Sequence, residues 1–210
     1  MEHLLSVEEA TNIVYSSLEG FTGWKYLRSQ RCLKKKVKDL ELVINFFTSK
    51  WNKSHEYVGI NADFRVIYKK LGKLPVQNVV ASCEYHPRTG EDTYWYDISS
   101  KEKVITVIEI LKSEIQKTAL QLEANIENGY EDAIKDLFEN HFDEYGVKLE
   151  FVADVLGVDA ISLKAHSIFD ALSDDEKQDI IDYKNGKMTR QWMYNPTNLK
   201  FIVEIGRAHV

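Results

Sequence analysis

Apolar and polar positions alternate with a period of two through most of residues 24–70. Leu40, Leu42, Ile44 and Phe46 share one face of a run whose other face carries Glu41, Val43, Asn45 and Phe47. In the next run Val58, Ile60, Ala62, Phe64 and Val66 alternate with Tyr57, Gly59, Asn61, Asp63 and Arg65. That period belongs to β-strands, and an apolar stripe at this spacing needs a second layer to cover it. Three consecutive strands are predicted, over about 24–36, 40–50 and 55–69, with Lys38-Asp39 as a tight hairpin and 50–54 as the next connection. Beyond Gly72 and Pro75, Val79, Ala81, Cys83 and Tyr85 alternate again, His86-Pro87-Arg88-Thr89-Gly90 makes a turn, and Tyr94-Trp95-Tyr96 returns as a fifth strand.

Helical periodicity brackets the sheet. Ser6-x-x-Glu9 is a capping box, followed by Val7, Ala10, Ile13, Val14, Leu18 and Phe21 at helical spacing and stopped by Gly20 and Gly23. Ser99-x-x-Glu102 is read as a second box, opening the longest helix. Its stripe runs through Val104, Ile108, Leu111, Ile115, Ala119, Leu122 and Ile126 to about Asn128 and is the natural cover for the sheet. Further helices are predicted over 130–142, 149–156 and 160–172, and Asp174-Asp175-Glu176 opens a last acidic one ending at Asn185-Gly186, where acids complement the helix dipole. The expected fold is α+β: an N-terminal helix, an antiparallel sheet of about five strands covered by a long helix, and a helical extension. Residues 1–128 form the sheet domain and 129–203 the acidic extension.

Composition adds constraints. A 210-residue chain with 44% hydrophobic residues can bury a sizeable core. No apolar run approaches the ~20 residues of a membrane helix, the start carries no secretory signal, and two distant cysteines, Cys32 and Cys83, suit a reducing compartment. A cytoplasmic, bacterial-type protein with no membrane association is expected. Net charge is −6 but uneven. Residues 25–73 hold thirteen Lys and Arg against four acids, while 129–186 hold fifteen acids against five lysines. Such halves attract each other within one molecule or present surfaces of opposite sign to partners.

The chemistry-bearing motifs are few. His3, His55, His86, His141 and His166 occur at no metal-ligand spacing. No Gly-x-Ser-x-Gly surrounds a serine, and neither glycine-rich phosphate motif is present. No catalytic, cofactor-binding or metal residue is assigned. Two features point toward nucleic acid. Lys34-Lys35-Lys36 lies among Trp24, Tyr26, Phe47 and Trp51, the mixture that stacks bases and follows phosphates. Ala153, Gly157 and Leu163 fall at helix-turn-helix positions, but the reading helix over 159–169 offers only Lys164 and His166 in acidic surroundings. Phosphate contacts supply most non-specific affinity, so plain helix packing is the better reading there.

The order of elements brings one family to view. A helix ends near Gly20-Phe21 and leads into a strand with Trp24; a strand reads Leu42-Val43-Ile44-Asn45-Phe46-Phe47-Thr48-Ser49-Lys50. A strand with Val58-Gly59-Ile60-Asn61 follows, and Tyr94-Trp95-Tyr96 precedes a long helix. Over about 6–128 this resembles bacterial proteins grouped as domain-of-unknown-function family 4304, which implies an α+β domain and no activity. The last seven residues, Glu204 to Val210, resemble a translated DNA-sequencing adapter, so a non-native tail and an authentic segment ending near Val203 are expected.

The leading functional expectation is therefore a non-catalytic protein-interaction protein of immunity or regulatory type, whose acidic face suits a basic protein partner. Its candidate surface consists of Trp51, Trp95 and Tyr96 with the acids Asp174, Asp175, Glu176 and Asp179. Nucleic-acid binding by the basic sheet is the alternative, and an enzyme whose site is assembled from distant segments is the second.

Overall fold

Six antiparallel strands and several helices make up the fold, which is α+β as the periodicity predicts. The computed structural model describes residues 4–72, 78–87, 95–140, 147–171, 173–175, 177–178 and 182. The chain divides into two compact units: Met1–Tyr68 with Ser82–Asn128, and Lys69–Ala81 with Gly129–Val210.

The first unit opens with α1 (Val7–Thr22). The capping box forms as expected: Ser6 Oγ accepts from the Glu9 amide at 3.2 Å, and the Ser6 amide donates to Glu9 Oε2 at 2.8 Å. Gly23 ends the helix in the left-handed region, at φ 67°, which a glycine adopts without steric cost. The buried stripe is Ala10, Thr11, Val14, Tyr15 and Leu18, whereas the expected Ile13 and Phe21 are exposed. Tyr15 takes the inward place because it packs on Phe46, with ring centroids 4.8 Å apart.

The strands are β1 (Lys25–Leu27), β2 (Cys32–Val37), β3 (Leu40–Thr48), β4 (Gly59–Tyr68), β5 (Val79–Tyr85) and β6 (Tyr96–Asp97). Their order is β1-β2-β3-β4-β5, with β6 also on β4. The single strand expected over 24–36 is two. Residues 28–31 form a turn between Leu27 and Cys32, where the Gln30 amide donates to Leu27 O at 3.0 Å and Arg31 stands at φ 50°. The Lys38-Asp39 hairpin forms as read, between the paired Val37 and Leu40. Register sorts the faces. Leu33, Leu42, Ile44, Ile60, Phe64 and Val66 are fully buried on the core face, and Glu41, Asn45, Phe47, Asn61 and Arg65 lie on the other. Of the expected fifth strand, Tyr96 lies in β6, Trp95 precedes it, and Tyr94 lies outside the described residues.

The long helix starts one residue later than the box predicts. Asp97 Oδ1 accepts the Ser99 amide at 2.9 Å and holds Ser99 outside the helix. Ser100 is then the cap of α2 (Lys101–Ile115). A π-helical turn, Gln116–Leu120, joins α2 to α3 (Gln121–Asn128). All seven expected stripe residues are buried, and Thr118 in the π turn hydrogen-bonds the Tyr85 hydroxyl. Glu123 on α3 accepts from Trp24 Nε1 at 2.6 Å and pairs with Lys35 at 3.0 Å, tying the helix to β2 and the start of β1.

In the second unit α4 (Tyr130–Glu139) buries Ala133, Ile134 and Leu137, and α5 (Leu149–Leu156) buries Leu149, Phe151 and Val152. The Lys148 amide donates to Val80 O at 3.0 Å, linking α5 to residues 69–81. A 3-10 turn, Val158–Ile161, precedes α6 (Ser162–Asp170). Gly157 between α5 and this turn stands at φ 88° and ψ 160°, a conformation essentially confined to glycine.

Candidate functional site

The strand end at Thr48 and Gly59 gathers most of the aromatic side chains read as surface anchors. The connection between β3 and β4 is short and cross-tied rather than slack. The Ser49 amide donates to Gly59 O at 3.0 Å and the Lys53 amide to Tyr57 O at 2.8 Å. Asn52 clamps Gly59 on both sides, accepting its amide at 2.7 Å and donating to its carbonyl at 3.1 Å. The His55 amide reaches across to Leu5 O at 3.0 Å. A Cβ on Gly59 would stand 2.6 Å from Tyr57 Oη and 3.2 Å from Ser49 Cβ, so a larger residue here has to push the Tyr57 ring end and Ser49 aside.

Trp51 projects from this loop with 73% of its surface exposed. Its amide is held by Ser49 Oγ at 3.2 Å, and Lys50 Nζ sits 4.9 Å from the ring centroid, a cation–π contact. Phe47, two residues before the loop, is 42% exposed on the second face of the sheet, opposite Asn61. Tyr96 pairs with Ile60 and is half-buried. Trp95, also half-buried, immediately precedes β6. The structure thus brings Trp51, Trp95 and Tyr96 to one end of the sheet and adds Phe47 and Lys50 to them.

Charge on the sheet is largely answered locally. Lys34 pairs with Glu41 at 2.6 Å and Lys35 with Glu123 at 3.0 Å. Asp63 Oδ2 accepts Arg65 Nε at 2.8 Å, and Asp63 Oδ1 accepts Asn45 Nδ2 at 2.6 Å. Lys34, Lys35 and Arg65 therefore carry their own counter-ions, as Lys53 does with Glu56 at 2.8 Å. Burial pushes the Cys32 thiol up, which keeps it protonated near neutrality, and Cys83 is half-buried.

Asp174 and Asp175 are exposed in the second unit, while Glu176 and Asp179 lie outside the described residues, as do most of the last expected helix and residues 204–210. Leu163 does not fill the helix-turn-helix apolar position. It is 87% exposed, and the expected start of the reading helix is the 3-10 turn. Among the described residues no three His, Cys, Asp or Glu side chains stand together as a metal site, and no helix is long and apolar enough to cross a membrane.

Compared with protein families, curated proteins and solved structures, the chain matches none.

Proposed function

We propose that this chain is a non-catalytic protein-interaction protein that holds its partner through the aromatic end of the sheet, with Trp51 as the anchor. The supporting observation is the combination of 73% exposure at Trp51 with a loop that fixes its backbone through Ser49, Asn52 and Gly59. Exposing an indole to water is unfavourable unless it is covered in a complex. A pre-set backbone reduces the ordering entropy that binding would otherwise cost. Tryptophans of this kind dominate interface energetics, at ~2–4 kcal/mol when truncated to alanine. Phe47 and Trp95 add apolar surface at the same end of the sheet, whereas Tyr96 shares the face of the buried Ile60. The second unit carries an acidic excess of its own, fifteen acids against five lysines in residues 129–186 with Asp174 and Asp175 exposed, and that surface by itself suits a basic partner. An immunity or regulatory role would use such a surface, and the resemblance of residues 6–128 to domain-of-unknown-function family 4304 adds no activity to it.

Nucleic-acid binding by the sheet is less well supported, because the ion pairs of Lys34, Lys35 and Arg65 remove charge that phosphate contacts would need. The test is affinity capture with three baits: the wild-type chain, Trp51→Ala, and Ile105→Ala as a control for a comparably exposed apolar residue on α2. A protein captured by the first and third baits and lost from the second is the expected result. Capture that is indifferent to Trp51 contradicts the proposal.

A further inference from the structure

Apart from the Trp51 surface, the first unit holds an open cleft of about 510 Å³ between the first turns of α1 and the β1–β2 turn. Three aromatic rings run into it. Tyr15 lies between Phe46, at 4.8 Å, and Tyr26, at 4.9 Å, with the two tyrosine planes only 28° apart. Phe46 and Tyr15 are buried, but Tyr26 ends the run half-buried and lines the cleft. Arg28 and Arg31 come from the turn that separates β1 from β2, and both are exposed. Arg31 Nη1 donates to Thr48 Oγ1 at 3.3 Å, which props the guanidinium while further N–H groups remain on it. The Ser54 hydroxyl accepts the Val7 amide at 3.3 Å and closes the floor.

We propose that this cleft binds a small phosphate monoester carrying a flat ring, of mononucleotide size, with its phosphoryl oxygens on Arg28 and Arg31 and its ring on Tyr26. Guanidinium groups match phosphoryl oxygens in geometry as well as charge, and two of them balance a dianion. The volume falls within the ~300–1,000 Å³ of small-molecule sites. Two carboxylates oppose the charge. Glu8 stands in the lining, and Glu19 is next to it through Tyr26, whose amide its Oε1 accepts at 2.9 Å. This site is independent of the partner surface at Trp51.

The test uses the full chain, labelled with nitrogen-15, titrated with adenosine 5′-monophosphate, ribose 5-phosphate, adenosine and inorganic phosphate. Saturable shifts at Tyr26, Arg28 and Arg31 with the monophosphate are expected, with weaker binding of the three fragments. Arg28→Ala should weaken binding about tenfold or more, and Glu8→Gln should tighten it a few-fold. Arg31→Asn, chosen because asparagine tolerates the left-handed φ there, should weaken binding similarly to Arg28→Ala. Lys36→Ala, exposed and outside the cleft, should leave binding unchanged. No saturable shift up to about 5 mM monophosphate overturns the proposal, since weaker binding would be worth less than about 3 kcal/mol. Equal weakening by Lys36→Ala also overturns it, by showing general surface charge at work. Ribose 5-phosphate binding as tightly as the nucleotide overturns the role of Tyr26.

Discussion

Glu123 is a node whose removal separates two kinds of electrostatic contact. Its carboxylate accepts Trp24 Nε1 at 2.6 Å and pairs with Lys35 Nζ at 3.0 Å. Trp24 is 1% exposed, so Glu123→Ala strands an indole N–H that water does not reach, at ~1–3 kcal/mol. Lys35 is half-exposed and regains water when its partner goes, so its share is ~0–1 kcal/mol. A total near 2–3 kcal/mol is therefore expected for Glu123→Ala. Glu123→Gln keeps an acceptor for Trp24 and loses only the charge, so it should cost under about 1 kcal/mol. Urea unfolding followed by tryptophan fluorescence measures both. In the Trp24→Phe background the Glu123→Ala cost should fall to the Lys35 share, because the donor is gone. Equal costs for Ala and Gln, or an undiminished cost without the indole, would refute the assignment of Trp24 as the contact that matters.

Three further outcomes follow from the same geometry. Gly59→Ala should destabilise the first unit by ~1–3 kcal/mol through the contacts at 2.6 and 3.2 Å, read as a lowered unfolding midpoint, with Ser49→Gly partly restoring it. Burial pushes Asp97 up, but hydrogen bonds from Lys103 and Ser99 outweigh it and hold the carboxyl below the ordinary aspartate value. Its stabilisation is thus complete above that ordinary value and is lost as pH falls through the lower folded one. The stability gap between wild type and Asp97→Asn should accordingly be present at pH 7 and shrink in acid, measured as urea midpoints across pH. Wild-type protein should give no rise in anisotropy with labelled mixed-sequence oligonucleotides at low salt; a salt-sensitive rise would revive the nucleic-acid reading.

The central strands were legible because their alternation is unbroken: each of Leu40, Leu42, Ile44 and Phe46 is buried as the period requires. The turn at 28–31 was not, because Arg28-Ser29-Gln30-Arg31 contains no Gly, Pro, Asn or Asp and its left-handed residue is an arginine. The available signal was the gap in apolar positions between Leu27 and Cys32. Ser99 and Ser100 both fit a cap, and tertiary contacts invisible in the Ser-x-x-Glu pattern decide between them: Asp97 accepts the Ser99 amide and the Ser99 carbonyl accepts the Leu5 amide. Trp51 was readable as an aromatic among charges, yet its exposure depends on the Asn52–Gly59 clamp. The stacking of Tyr15 on Tyr26 joins a helix to a strand, and no local period reports such a meeting.

The affinity of the purified wild-type chain for its captured partner, set against that of Trp51→Ala by titration calorimetry, decides whether Trp51 is the anchor. A loss of ~2–4 kcal/mol, roughly 30-fold to 1,000-fold in Kd, is the predicted result. An affinity unchanged within about threefold would contradict it, because an anchor that can be cut away at no cost is not the anchor.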